Sequence, residues 1–253
     1  MNTQETIGSI VAEDYRMAVV FSKFNIDFCC KGGRSIADAC AEKGIDPSLV
    51  IEALWEIKNA PSAPGESDIQ RWSATELADY IERVHHTYVR ETQPILSAYL
   101  KKVASVHGER HPELLEIYAL FQGSIAELLS HMIKEETILF PAVKKMETMV
   151  NNGKLMETPF FFGSVESPIA LMRHEHEAEG ERFARIATLS HNYTPPEDAC
   201  NTYKVSFAKL KEFEADLHRH IHLENNILFH KAVALEQKLS VAPESEYPAL
   251  HAA

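Results

Sequence analysis

The ten residues from His131 to Phe140, HMIKEETILF, recur in outline from His220 to Phe229 as HIHLENNILF. The shared skeleton is H-x-x-x-E-x-x-I-L-F. A helix brings residues i and i+4 to one face, about 40° apart at 3.6 residues per turn. Each copy therefore presents an imidazole and a carboxylate side by side, followed by an apolar patch that has to be covered. Two such helices facing each other deliver His131, Glu135, His220 and Glu224 to one interior point. That is the donor set of a metal site, most naturally of a two-metal site.

A single H-x-x-x-E on an amphipathic helix is more often a solvated surface pair than a ligand pair. Here both pairs fall within apolar stripes. Phe213, Leu217 and Ile227 share the side of His220, and Ile117, Leu128 and Ile138 share that of His131. An unpaired carboxylate in such a stripe costs several kcal/mol, so buried charge of this kind is paired or bound to a metal. The stripes favour the metal.

At 253 residues the chain can hold one large domain with a small companion. A net charge of −12 opposes nucleic acid and anionic membranes as partners and attracts cations. No run reaches the roughly 18 apolar residues needed to span a bilayer. The N-terminus, MNTQETIGSIVAEDYR, has neither the basic segment nor the apolar core of a secretory signal. Four cysteines in so long a chain do not make a disulfide framework. A reducing, cytoplasmic setting is expected.

Residues 1–59 are expected to form short helices, with Ser35 capping one and Asp46-Pro47 starting another. The stretch 60–74 opens on APSAPGES and is a linker by composition. Long helical patterns occupy 75–106, 112–150, 168–190 and 196–239, with Pro94 expected to kink the first. The last residues, 241–253, are expected to be a loose tail. Strand signals are scarce. The fold class is all-α: a four-helix bundle over 75–240 preceded by a small helical, cysteine-bearing domain.

Two histidines and two glutamates do not complete a two-metal site, so the other helices should contribute. On the third, His176 lies in line with Ile169, Met172 and Phe183, whereas His174 points away. His218 and His222 likewise face away from His220. On the first helix spacing does not decide between His85 and His86. Four imidazoles and two carboxylates suit iron, without excluding zinc, manganese or cobalt. Two six-coordinate irons offer roughly 12 positions. The histidines, two bridging glutamates and an oxo or hydroxo bridge leave about two open, enough for a diatomic ligand. A ferritin-like oxidase would instead show Glu-x-x-His pairs and more carboxylates.

The other notable segment is Asp27-Phe-Cys29-Cys30-Lys-Gly-Gly-Arg34-Ser35. Vicinal cysteines rarely form a disulfide without strain. Lys31, Arg34 and the helix start near Ser35 are each expected to stabilise a thiolate.

Taken together, these residues resemble the repair-of-iron-centres family of the ScdA/YtfE type over nearly the full length. The resemblance is carried by Asp27-Phe-Cys29-Cys30 with Gly32-Gly33, by HHTYVRE from His85 with Pro94, and by Val106-His-Gly108 with His111-Pro112. It continues through both H-x-x-x-E segments, Ser167-Pro-Ile169 and Glu175-His176. The chain departs at His230, where a proline is common, and at Gln93, where an apolar residue is usual. The resemblance implies a hemerythrin-like di-iron bundle with His86, the histidine eight residues before Pro94, as the first ligand. It further implies repair of iron-sulfur clusters damaged by nitric oxide or oxidants. In that picture Glu135 and Glu224 bridge two irons, His86, His131, His176 and His220 hold them, and Cys29 and Cys30 receive iron or contact the damaged iron-sulfur protein. A homodimer through the N-terminal domains is implied in the same way. Reduction of nitric oxide at the centre, or its use as a carrier or sensor of NO or O2, is the alternative.

Overall fold

The computed structural model describes residues 1–60, 69–156 and 158–240. The expected tail and most of the expected linker lie outside the described residues. Among the described residues there is no β-strand, only two isolated bridges, Thr6 with Ser35 and Phe160 with Gly163.

The N-terminal helices are set by their caps. Thr6 accepts from the Ser9 N–H at the start of α1 (Ile7–Glu13), and α2 (Ala18–Lys23) comes after a 3-10 turn. Ser35 caps α3 (Ile36–Lys43), which Gly44 ends at φ 64°, a left-handed conformation open to glycine without a Cβ penalty. Asp46 caps α4 (Pro47–Asn59), with Pro47 at the first position where its missing N–H costs nothing.

The four long helical patterns are present, but three are interrupted at mid-length. A Ser73–Glu76 capping box starts α5 (Ala74–Ile81), and a five-residue π turn, Glu82–His86, separates it from α6 (Thr87–His107). Glu135–Leu139 divides α7 (Glu113–Lys134) from α8 (Phe140–Asn151) in the same way. Glu224–Leu228 divides α10 (Asn201–Leu223) from α11 (Phe229–Ser240). Only α9 (Glu166–Leu189) runs unbroken. Each π turn inserts one residue into the hydrogen-bond ladder and so rotates the next helical segment by about 100°. This corrects the expected stripe: Ile138 is only half-buried, while Leu139 and Phe140 take the core positions.

Other boundaries shift for local reasons. Pro94 lies inside α6, within the expected first long helix. α9 starts at Glu166, two residues before Pro168, because first-turn N–H groups have no intrahelical acceptor to lose. α10 starts at Asn201 instead of Pro196, with Cys200 extended as its cap.

Apolar side chains form two clusters. One joins Phe121, Phe183, Phe207, Phe213 and Leu217 to Ile7, Val11, Phe21 and Leu54 of the N-terminal helices and to Phe28 of the loop between α2 and α3. The other holds Leu77, Ile81, Leu139, Phe140, Met172, Leu228 and Phe229. The N-terminal helices therefore share a core with one half of the bundle. The π turns and the polar residues they carry lie where the two clusters meet.

Phe213 is the hub of the first cluster, its ring 5.4 Å from Phe121, 5.8 Å from Phe183 and 6.0 Å from Tyr88. Phe213→Ala is expected to lower unfolding stability by about 3–5 kcal/mol, the usual range for a buried phenylalanine. Urea denaturation of the metal-free protein measures it, and a loss below about 1 kcal/mol would show that the neighbouring rings collapse into the gap.

Candidate metal centre

The two repeats place their residues by a shared rule. His131 and Glu135 lie one turn apart at the end of α7, and His220 and Glu224 do the same at the end of α10. His86 ends the first π turn and His176 projects from the middle of α9. None of the six is more than 3% exposed. Their ligand atoms form two groups, His86, Glu135, His220, Glu224 and His131, Glu135, His176, Glu224, with all atoms of a group within 4.8 Å of one another. Both glutamates belong to both groups. The structure thus brings together all six residues expected from the sequence, as two lobes sharing two carboxylates.

Each lobe pairs a histidine of one repeat with a histidine from another helix. His86 Nε2 lies 3.2 Å from His220 Nε2, and His131 Nε2 lies 3.1 Å from His176 Nε2. The Phe that closes each repeat stacks on the histidine contributed by the other helix: Phe140 on His86 at 5.7 Å, Phe229 on His176 at 6.0 Å. The residue after each shared glutamate reaches the far nitrogen of that same histidine. Glu136 Oε1 is 2.7 Å from His86 Nδ1, and Asn225 Oδ1 is 3.0 Å from His176 Nδ1. Glu175 does this for His131 at 2.8 Å. Acceptors on Nδ1 fix the tautomer with the proton there, leaving the Nε2 lone pair directed inward, as metal-bound imidazoles require.

The same geometry separates His85 from His86. His85 Nδ1 pairs with Asp216 at 2.9 Å, and its ring stacks parallel to His220 at 5.5 Å. It holds the position that Glu175 holds in the other lobe, one residue before the inward histidine. Burial lowers its pKa against the pull of Asp216, so it is a neutral wall of the site. His174 is exposed, and His218 and His222 face the N-terminal helices, against Phe28 and Tyr15. Glu136, Glu175, Asn225 and Asp216 are not among the site residues expected from the sequence, although Glu175 belongs to a stretch that carries the family resemblance. The signal that could have found Glu136 and Asn225 is their identical place in the repeat.

A cation fits this donor set. Both oxygens of Glu135 and Oε2 of Glu224 are buried without an aligned hydrogen bond, although imidazole nitrogens lie 3.1–3.3 Å away. Burial alone would raise both carboxyls. His220 and His176 nonetheless hold Glu224 well below the ordinary range, and His131 and His86 hold Glu135 below it despite repulsion from Glu224. His131 is pushed up to about 10, its burial outweighed by Glu135 and Glu175, and Glu224 raises His220 in the same sense. Without metal, protons on His131 and His220 balance the two carboxylates.

The cysteine loop sits on one lobe only. Cys30 Sγ donates to the His176 carbonyl at 3.3 Å, and Asn225 Nδ2 donates to the Cys29 carbonyl at 3.1 Å. The thiols are free, 3.6 Å apart. The expected cationic environment is absent: Arg34 pairs with Glu42, Lys31 is exposed, and Asp27 Oδ1 takes the N–H groups of Cys29 and Cys30 instead. The Cys30 contact, burial and Asp27 push the Cys29 thiol well above its ordinary value, so it is held protonated where it docks. A partly open cavity of 290 Å³ reaches the same lobe, lined by Leu128, His131, Lys134, Glu175, His176 and Glu179. Burial raises Glu179 to about 7 although the Ser124 hydroxyl donates to it.

Proton balance at the centre has a measurable consequence. His131 keeps its proton in the folded chain to about pH 10, whereas an unfolded histidine loses it near about 6.5. The folded state binds the extra proton between those values, so the stabilisation is complete below about pH 6.5 and is lost as pH rises toward 10. Urea titrations of the metal-free protein should show falling stability across that window, and a divalent metal should cancel the fall by replacing the proton. A flat metal-free profile would contradict the charge balance described.

Comparison with known proteins finds family models and relatives over most of the chain. The Hemerythrin HHE cation binding domain matches residues 77–232, and the Domain of Unknown function (DUF542) matches residues 3–58. The chain is 32% identical over 230 residues to the iron-sulfur cluster repair protein YtfE of Musicola paradisiaca, covering 91% of this chain and 96% of that protein. It is 31% identical over 232 residues to the iron-sulfur cluster repair protein ScdA of Staphylococcus haemolyticus, covering 91% and 99%. A probable iron-sulfur cluster repair protein of Haemophilus influenzae is 33% identical over 210 residues, covering 83% and 88%. With matches that run from the cysteine-bearing helices through the bundle, this chain belongs to the family of the iron-sulfur cluster repair proteins YtfE and ScdA.

Proposed function

We propose that the centre stores two irons, one in each lobe, and that the protein repairs iron-sulfur clusters by giving up iron from this store in the cytoplasm. The observation that carries the reading is the pair of ligand groups sharing Glu135 and Glu224. Four imidazoles with only two carboxylates suit iron and leave positions unfilled by protein. A thinly ligated ion exchanges more readily than one in a closed shell. Iron here is cargo, and the chain's own groups do the work around it. His86, His131, His176 and His220 orient their Nε2 atoms inward. Glu135 and Glu224 supply the shared negative charge. Asp27, Cys29 and Cys30, a second group of three possible ligands, sit beside the His131–His176 lobe as a stepping point toward a client protein.

The cavity beside His131 and His176 also supports a second reading, in which nitric oxide or oxygen enters to bind or react there. One experiment separates the two. Anaerobically purified protein is assayed for iron per chain and for iron transfer to an apo iron-sulfur protein, with Cys29→Ser/Cys30→Ser as control. Near two irons per chain, with transfer lost in the control, is the expected result. Two irons that never leave would turn the function to gas chemistry, and zinc or an empty centre would overturn the site.

A further inference from the structure

The two lobes follow one rule but differ at more than one position: Glu175 stands behind the His131 Nδ1 whereas the buried His220 Nδ1 has no hydrogen-bond partner, and the residue after the shared glutamate differs too. The position after the shared glutamate is Glu136 in the first repeat and Asn225 in the second, and each supports the Nδ1 of the histidine that its own repeat's Phe covers. Glu136 is a carboxylate, and Arg90 fixes it at 2.6 and 2.8 Å. It can accept but has no proton to donate. Asn225 is a neutral amide with a donor to spare, and that donor goes to the Cys29 carbonyl. The Asn225 amide thus touches His176 Nδ1 with its oxygen and the cysteine loop with its nitrogen. Asn226 clamps the same loop, donating to the Phe28 carbonyl at 3.2 Å. Cys30 adds its bond to the His176 carbonyl, and the 290 Å³ cavity opens on this lobe. His86 and His220 carry no contact of this kind with the loop among the described residues.

Building on the two-iron reading, we infer that Asn225 couples docking of the cysteine loop to His176, making the iron position at His131 and His176 the exchangeable one. With the loop docked, the Asn225 carbonyl oxygen holds His176 in its ligating tautomer. With the loop away, the amide loses the Cys29 carbonyl, turns toward other partners, and His176 loses its support. Outer partners of metal-bound histidines are worth about 10–100-fold in affinity. Asn225 is thus a positioning residue for metal retention, and it is neutral where its counterpart is charged: an amide accepts from His176 and donates to the Cys29 carbonyl at once, which a carboxylate cannot do.

Three variants of the full chain test this, loaded with iron and challenged with a ferrous chelator. Asn225→Ala removes the support. Gly180→Leu pushes the loop off from the bundle side, since even a Cβ at Gly180 would lie 3.2 Å from Cys30 Sγ; faster alkylation of Cys30 verifies the displacement. Asn225→Asp restores an acceptor for His176 that no longer needs Cys29, copying the Glu136 arrangement. The first two should release one iron per chain about 10–100-fold faster than wild type, with the second leaving at the wild-type rate. Asn225→Asp should release slowly, and should stay slow when combined with Gly180→Leu. In the one-iron form, carbethoxylation mapped by mass spectrometry should modify His131 and His176 and spare His86 and His220. Wild-type release by Asn225→Ala, equal acceleration of both irons, or an Asn225→Asp variant as fast as Asn225→Ala would each overturn the inference. A wild-type protein without two irons would sink the two-iron reading and this inference together, whereas a two-iron protein indifferent to Asn225 sinks this inference alone.

Discussion

Two carboxylates with no exposure at all, Glu135 and Glu224, sit in the middle of a helical bundle, and the remaining structure is arranged around that fact. Removing one partner of such a buried charge costs about 3–5 kcal/mol, far more than a surface pair contributes. Four histidines therefore converge on the two glutamates, and Glu136, Glu175 and Asn225 hold three of the histidines from behind. Phe140 and Phe229 cover two of the rings, and apolar clusters close the bundle on either side. The same convergence that balances the charge of the carboxylates in the absence of metal offers a cation site once the protons leave.

The π turns are how helices carry this belt without losing their packing. A regular helix that points His131 and Glu135 inward would keep Ile138 on the same face. With one inserted residue, the turn at Glu135–Leu139 hands the inward face to Leu139 and Phe140 instead, which puts Phe140 over His86. The turn at Glu224–Leu228 does the same for Phe229 over His176. At Glu82–His86 the widened turn lets two adjacent histidines be buried together, one directed to the centre and one stacked behind His220. Such turns often mark functional sites because they trade a regular ladder for side-chain placement.

The cysteine loop makes the two halves of the centre inequivalent. Asx-type capping by Asp27 folds the loop, and Asn225 and Asn226 anchor its carbonyls on α10's continuation. Gly32 is required there by close approach: a Cβ would lie 2.7 Å from the Phe28 carbonyl oxygen and 2.8 Å from Asn226 Oδ1. The His218 and His222 imidazoles, turned away from the centre, pack with Tyr15 against Phe28 of this loop.

Much of the centre could be read from the chain because helical spacing is local. The repeated H-x-x-x-E, the stripe through His176 and the excess of helical patterns determine the bundle and five of its inward donors from i, i+4 geometry alone. His86 needed the family resemblance, since adjacent histidines on an unbroken helix point about 100° apart and neither spacing nor burial pattern chooses between them. What only tertiary structure decided is relational: that both glutamates serve both lobes, that Glu136 and Asn225 brace histidines on other helices, and that Cys30 reaches the His176 carbonyl. Those contacts span dozens of residues and rest on π turns, whose one-residue insertions leave no periodic trace in the sequence but rotate every later side chain of the helix.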